Sequence, residues 1–210
     1  MATILLTGFG TFPGAPVNPS GLLARKLARI RRPVFADCKR VAHVFATTYA
    51  AVDQQLPALI ARHRPGAIVM FGLASRTRHI RIELLARNRM LVLFPDATGF
   101  RPRAQTIRAQ GPTGLHGRAP FSRLLAAARA HGVDAALSRN AGGYVCNYCY
   151  WRAIEGAPPD GPIVVFIHVP KARGRSRRSG SKPRAPLLAD LVKAGEAILV
   201  SIVAGMRTPR

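Results

Sequence analysis

Ile163-Val164-Val165-Phe166-Ile167-His168-Val169-Pro170 decides the fold. Its first five residues are apolar without alternation, which reads as a strand buried on both faces. Ala67 to Leu73 is a second such run, passing through Gly72, and Ile4 to Thr7 a shorter one. Val41 to Thr47 and Asp134 to Ser138 complete the expected strands. Between them lie helical patterns over Pro19 to Ile30, Tyr49 to His63, Phe121 to His131, Cys146 to Glu155 and Pro186 to Ala204. In the first helix Leu22, Leu23, Leu27 and Ile30 are expected on one inward face. Arg89 to Gly117 reads as irregular, and Gly132 as a helix C-cap. Strands alternating with helices predict an α/β fold with a parallel or mixed sheet covered on both faces. In such sheets sites gather at the carboxyl ends of strands, where Gly8, Gly72, Cys146 and His168 fall.

The chain has 210 residues, of which 48% are hydrophobic, enough for one globular domain with a sizeable core. No apolar run is long enough to span a bilayer. The opening Met1 to Gly10 lacks the basic and apolar regions of a signal peptide and reads as a first strand and turn. Three cysteines, Cys38, Cys146 and Cys149, are too few and odd in number for a disulfide framework, which predicts a reducing, cytoplasmic setting.

The net charge of +23 resembles a nucleic-acid signature. Lys171 to Arg184 holds seven basic residues and no acid, so removing it takes the charge from +23 only to +16. Of the 32 basic residues 27 are Arg, and Ala, Gly and Pro are also abundant. All four have GC-rich codons, so the excess is read as compositional drift rather than as a nucleic-acid surface. The stretch 171–185 is read as a basic mobile loop within the domain.

Several residues stand out chemically. Cys146 follows Asn140-Ala141-Gly142-Gly143-Tyr144-Val145 at an expected helix start, where the helix dipole favours a thiolate. Nearby backbone N–H groups would form an oxyanion hole. A buried structural thiol is the plain alternative. Cys146 with Cys149 also forms Cys-x-x-Cys, the spacing of thiol–disulfide exchange, here about two-thirds along the chain. His168 ends an apolar strand just before Pro170 and is positioned as a general base would be. Glu83 lies among Arg76, Arg78, Arg81, Arg87 and Arg89, cations that favour its ionised form. It reads as either a carboxylate orienting the histidine or a surface ion pair. Gly8-Phe9-Gly10-Thr11-Phe12-Pro13-Gly14 fails the dinucleotide-loop pattern, because Pro13 stands where the third glycine belongs.

Taken together these segments resemble pyroglutamyl peptidase I, a family of cysteine peptidases. The opening Thr7-Gly8-Phe9-Gly10-Thr11-Phe12 with Asn18-Pro19-Ser20, the stretch from Gly72 to Glu83 and on to Ala86 and Asn88, Ala141 to Asn147, and Phe166-Ile167-His168-Val169-Pro170 carry the resemblance. It implies a three-layer α/β/α sandwich around a mixed, mostly parallel sheet. It implies a triad of Cys146 (nucleophile), His168 (base, then acid) and Glu83 (orienter of the histidine). Phe9, Phe12 and Tyr144 would line a slot for the pyroglutamyl ring, with Asn18 and Val145 supporting it and a backbone contact from Leu73. No metal or cofactor is called for. The implied partners are N-terminally pyroglutamylated peptides and further copies of the chain, in a homo-oligomer that is often a tetramer in that family. The chain departs from the family at Leu73, at Met90 to Leu93, and in the basic segment after His168. Two other readings stand beside it: a thiol oxidoreductase using Cys146 and Cys149, and a basic, non-catalytic nucleic-acid-binding relative.

Overall fold

Eight strands and five helices follow one another in the computed structural model, which describes residues 1–12, 14–158, 160–172 and 186–207. In chain order they are β1 (Ala2–Phe9), α1 (Pro19–Arg29), β2 (Cys38–Phe45), α2 (Tyr49–His63), β3 (Ala67–Leu73), β4 (Ile80–Glu83), β5 (Leu85–Arg87), β6 (Gly114–His116), α3 (Phe121–Arg129), β7 (Ala135–Ser138), α4 (Val145–Glu155), β8 (Ile163–Val169) and α5 (Leu188–Arg207). Six strands form the main sheet in the order β2-β1-β3-β8-β4-β7, and β5 pairs with β6 separately. Neighbours are parallel except β8 and β4, which run antiparallel. The sheet is therefore mixed and mostly parallel.

Alternation along the strands divides the core in two. Ile4, Leu6, Val69, Phe71, Ile80, Ile82, Val165 and Ile167 pack with α1, α3 and α5. Leu5, Phe9, Ile68, Met70, Val164 and Phe166 pack with α2 and α4. The three layers are helices, sheet, helices. Tyr150 and Trp151 of α4 are fully buried, and sealing a large side chain from water contributes about 1.5–3 kcal/mol. At Gly8 a Cβ would lie 2.5 Å from the Ser20 carbonyl oxygen, so α1 packs directly onto β1 only because that position is glycine.

Two expectations change, and a third falls where the structure says nothing. Leu22 is 46% exposed, on the outer side of α1, while Leu23 and Leu27 are buried; the inward face is narrower than the periodicity suggested. Strands β4 and β5, short and followed by arginine-rich sequence, were not anticipated, and β6 lies inside the stretch read as irregular. From residue 173 the basic segment expected as a mobile loop lies outside the described residues. Among the described residues no helix is long and apolar enough to cross a membrane.

Candidate active site

The same alternation selects which side chains can meet. On β8, Val164 and Phe166 face α4, so His168, two residues further, faces it too. On β4, Ile80 and Ile82 face the other layer, which leaves Arg81 and Glu83 on the α4 side. Antiparallel pairing sets Arg81 opposite His168 and Glu83 opposite Phe166. Glu83 is thus diagonal to His168, within reach of a long side chain. Its Oε1 lies 2.8 Å from His168 Nδ1. The carboxylate accepts, so Nδ1 carries the proton and Nε2 is the imidazole's free nitrogen. The imidazole also packs on the Phe166 ring, centroids 4.8 Å apart.

Glu83 is fully buried. Arg81 Nη2 reaches the same Oε1 at 2.8 Å. Burial pushes the Glu83 carboxyl up, but the hydrogen bond and charge of His168, together with Ser138 and Arg81, pull it further down, so it is held ionised. Arg81 also donates to Ser138 Oγ at 2.9 Å and to the Asn140 carbonyl. Arg87 Nε donates to the Arg139 carbonyl at 3.1 Å. Two arginines thereby tie down the loop that leads into α4. The Tyr150 hydroxyl donates to the Glu83 carbonyl from below, at 2.9 Å.

Cys146 stands in the first turn of α4, one residue later in the helix than expected, since the helix begins at Val145. Its N-cap is Tyr144, in extended conformation and with no side-chain cap. First-turn N–H groups are thus left to face the space in front of the helix. The sulfur lies over Gly72, where a Cβ would come within 2.8 Å of Sγ. Gly72 is the in-register partner of His168 on the neighbouring strand, so thiol and imidazole occupy adjacent positions on one sheet face. Opposing influences meet at this sulfur. Burial, and then the charge of Glu83, push the Cys146 thiol up to about 12, outweighing the pull of its own backbone N–H. A base within reach of the sulfur would ease its ionisation.

Cys149 is completely buried in the α4 layer and is a free thiol. Burial, and then Cys146 and Asp53, push it well above the ordinary range. A thiol with no exposed surface is poorly placed to exchange with an outside partner, which weighs against the oxidoreductase reading.

The proposed slot is partly assembled. The Phe12 ring lies 6.0 Å from that of Tyr144, and both are half-buried. Phe9, expected in the wall, is core instead: it is 1% exposed and packs between Phe45 and Phe166. Asn18 is a scaffold. Its Oδ1 accepts from Ser20 N, and its Nδ2 donates to the Gly10 carbonyl at 2.9 Å. Val145 is buried at the helix start. Leu73 follows Gly72 and so turns its side chain to the opposite face, leaving only its backbone at the site. Leu93 is 74% exposed.

Three further residues shape the site. Asn147 is fully buried; it accepts from Arg87 N and donates to the Arg87 and Arg89 carbonyls, joining α4 to the end of β5. Asp96 accepts from Tyr49 N, Thr98 N, Thr98 Oγ1 and Phe100 N, folding the loop beneath the aromatic cluster. The turn-forming run Asp96-Ala97-Thr98-Gly99 carried that signal in the sequence. Tyr49 sets its ring edge-on to Tyr144 at 6.2 Å. Nothing in its sequence surroundings distinguished it from an ordinary inward aromatic.

Comparison with known proteins gives a consistent answer. A family profile described as pyroglutamyl peptidase matches residues 2–204. A pyrrolidone-carboxylate peptidase of Gloeobacter violaceus is 33% identical over 168 residues, 80% of each chain. One from Thermococcus kodakarensis is 28% identical over 202 residues, 95% of each. The crystal structure of pyroglutamyl peptidase I from Bacillus amyloliquefaciens superposes with a TM-score of 0.83 at 26% identity, covering 97% of this chain and 98% of that one. The pyrrolidone carboxyl peptidase of Thermococcus litoralis gives 0.81 at 26%, covering 96% and 93%. Sequence match and shared fold extend over nearly the whole length, and the chain belongs to the pyroglutamyl peptidase family.

Proposed function

We propose that this chain removes N-terminal pyroglutamate from peptides with Cys146 as nucleophile, His168 as base and then acid, and Glu83 as orienter of the imidazole. Family membership makes it a cysteine-type omega-peptidase. The observation that carries the residue assignment is the fully buried Glu83 bonded to His168 Nδ1, on the sheet face that also holds the Cys146 sulfur.

The steps follow from the geometry. Nδ1–H is fixed on Glu83, so Nε2 takes the proton from Sγ, and a thiol pushed up by burial favours such a base. The thiolate attacks the pyroglutamyl carbonyl carbon. The uncapped N–H groups at the start of α4 face the developing oxyanion. The imidazolium, stabilised by Glu83, protonates the leaving amine as the C–N bond breaks. Water, deprotonated by His168, then hydrolyses the thioester and frees pyroglutamate and the thiol. A pyroglutamyl end is a neutral lactam, so the slot beside Phe12 and Tyr144 suits it better than an acidic pocket would.

Free cysteines fit a reducing, cytoplasmic setting. Val17, Leu93, Phe94 and Phe100 are exposed apolar side chains on loops near the site, which supports assembly into a homo-oligomer. We read the chain as one peptidase domain. Release of a chromogenic amine from a pyroglutamyl amide tests the function, with Cys146→Ser as control. Turnover by wild type and none by the variant is expected; an inactive wild type, or an active Cys146→Ser, overturns the reading.

A further inference from the structure

Among the described residues Tyr49 and Trp151 are the aromatic side chains with a buried polar atom that lacks a partner, and of the two Tyr49 contacts the aromatic slot through Tyr144. Tyr49 stands at the first position of α2, 5% exposed. Its backbone N–H is anchored on Asp96 Oδ2 at 3.1 Å. Its ring is clamped edge-on by Tyr144, Tyr148 and Phe100, with centroids 6.2, 5.1 and 6.0 Å away. Among the described residues its hydroxyl is buried with no hydrogen-bond partner. Tyr144, its ring neighbour, also contacts Phe12 and is the N-cap of the helix that carries Cys146, so Tyr49 borders the aromatic slot. Tyr148 contrasts sharply: its hydroxyl donates to both oxygens of Asp53 at 2.8 Å.

A buried hydroxyl without a partner destabilises a fold, because its hydrogen bond to water is lost and not replaced. Phenylalanine at this position would fill the same space without that loss. The hydroxyl becomes favourable when something entering the slot brings an acceptor. A pyroglutamyl residue brings two carbonyls. The scissile one must lie at the Cys146 sulfur, before the backbone N–H groups at the start of α4. The ring carbonyl lies at the other end of the lactam.

We propose that Tyr49 is a substrate-binding residue whose hydroxyl donates a hydrogen bond to the ring carbonyl of the pyroglutamyl lactam. This rests on the function proposed above. Burial pushes the phenol up, so it remains a donor throughout the working pH range. Tyr49 therefore adds a polar recognition element to a slot that is otherwise aromatic, and it discriminates the lactam from a proline end, which lacks that carbonyl. Sites that donate to a particular oxygen reject the analogue lacking it far more strongly than apolar pockets reject a change of shape.

Tyr49→Phe removes the hydroxyl alone. Three measurements on it and on wild type decide the matter: melting temperature, hydrolysis of a pyroglutamyl amide, and protection of Cys146 from iodoacetamide by 2-pyrrolidinone, a bare lactam. Equal or higher melting temperature is expected, with kcat/KM down about tenfold or more and lactam protection weakened by a similar factor. Unchanged kcat/KM and protection would overturn the proposal. So would a lower melting temperature with protection intact, since the hydroxyl would then serve the fold. If wild type fails to hydrolyse the amide, the proposed function falls, while the protection ratio still judges Tyr49. Should Tyr49→Phe fold poorly, Tyr49→Leu read by lactam protection alone serves, and full protection there counts against the proposal.

Discussion

Gly72 and Cys146 share one small volume. A Cβ on Gly72 would come within 2.8 Å of the sulfur and within 2.7 Å of the Phe166 ring. Gly72→Ala should therefore displace the thiol from its place beside His168. We expect kcat to fall about a hundredfold or more, since misplacement of a reacting atom by about 1 Å costs that much. Steady-state kinetics, paired with the iodoacetamide alkylation rate of Cys146, check it. An active, normally alkylated Gly72→Ala enzyme would show that the sulfur stands elsewhere in turnover.

Cys146 and Cys149 should behave oppositely. Cys149→Ala empties a little core volume and should cost about 1 kcal/mol of stability while leaving kcat/KM within about twofold. Loss of turnover in Cys149→Ala with retention in Cys146→Ala would instead revive the oxidoreductase reading. Both thiols also report on alkaline stability. Their folded pKa values lie above the ordinary 9.0, Cys146 at about 12. Above pH 9 the unfolded chain ionises its thiols while the folded one keeps them protonated, so stability falls as pH rises. Cys149→Ala should show a shallower fall in melting temperature across that window than wild type does.

Glu83 gives the converse at low pH. Its carboxyl is held below the ordinary 4.5, so its contribution is present above that value and is lost as pH falls through the lower folded value. Glu83→Gln should remove this acid-labile contribution and flatten the acid side of the stability curve. It should also cut kcat about a hundredfold or more, because the imidazolium loses its counter-charge and its fixed orientation. A Glu83→Gln enzyme with wild-type kcat would reduce Glu83 to a structural ion pair.

Arg81 acts through Glu83 as a positioning residue. It shares Oε1 with His168 and bonds the loop entering α4 at Ser138 and Asn140. Arg81→Gln should make Glu83 easier to protonate, moving the acid limb of the pH–kcat/KM profile to higher pH, with kcat down about tenfold and KM little changed. Arg81→Lys keeps the charge and should hold the limb near its wild-type position. A lower melting temperature with an unmoved acid limb would make Arg81 a purely structural tie.

Much of this was legible in the sequence, for identifiable reasons. Unbroken apolar runs such as Val164 to Ile167 are long enough to report a covered sheet. His168 and Cys146 were visible because each ends or begins a strongly patterned element. Less legible was anything that depends on pairing. Glu83 had five arginines near it in sequence, and the two-residue alternation of β4, a strand the sequence did not announce, decides that Arg81 is the one on its carboxylate. The same holds for Phe9, whose place in the core follows from contacts with Phe45 and Phe166 that lie far away in the chain. At the thiol a helix start argues for ionisation, whereas burial, known only once the chain is folded, pushes the other way.

The register that unites the site also divides the chain by its tolerance of change. Gly72, His168 and Glu83 sit on three neighbouring strands locked by backbone pairing. A one-residue insertion or deletion within 80–83 would turn Glu83 to the far face of the sheet and end hydrolysis. Phe12, Asp96 and Phe100 sit on connecting loops outside that ladder, with Tyr49 at a helix end, where length and sequence can drift at little cost to the strands. Changes in these loops should therefore alter what the slot accepts while leaving the three strand positions in place. A library of loop variants confined to 91–94, which leaves Asp96 in place, should yield altered substrate preference far more often than dead enzyme.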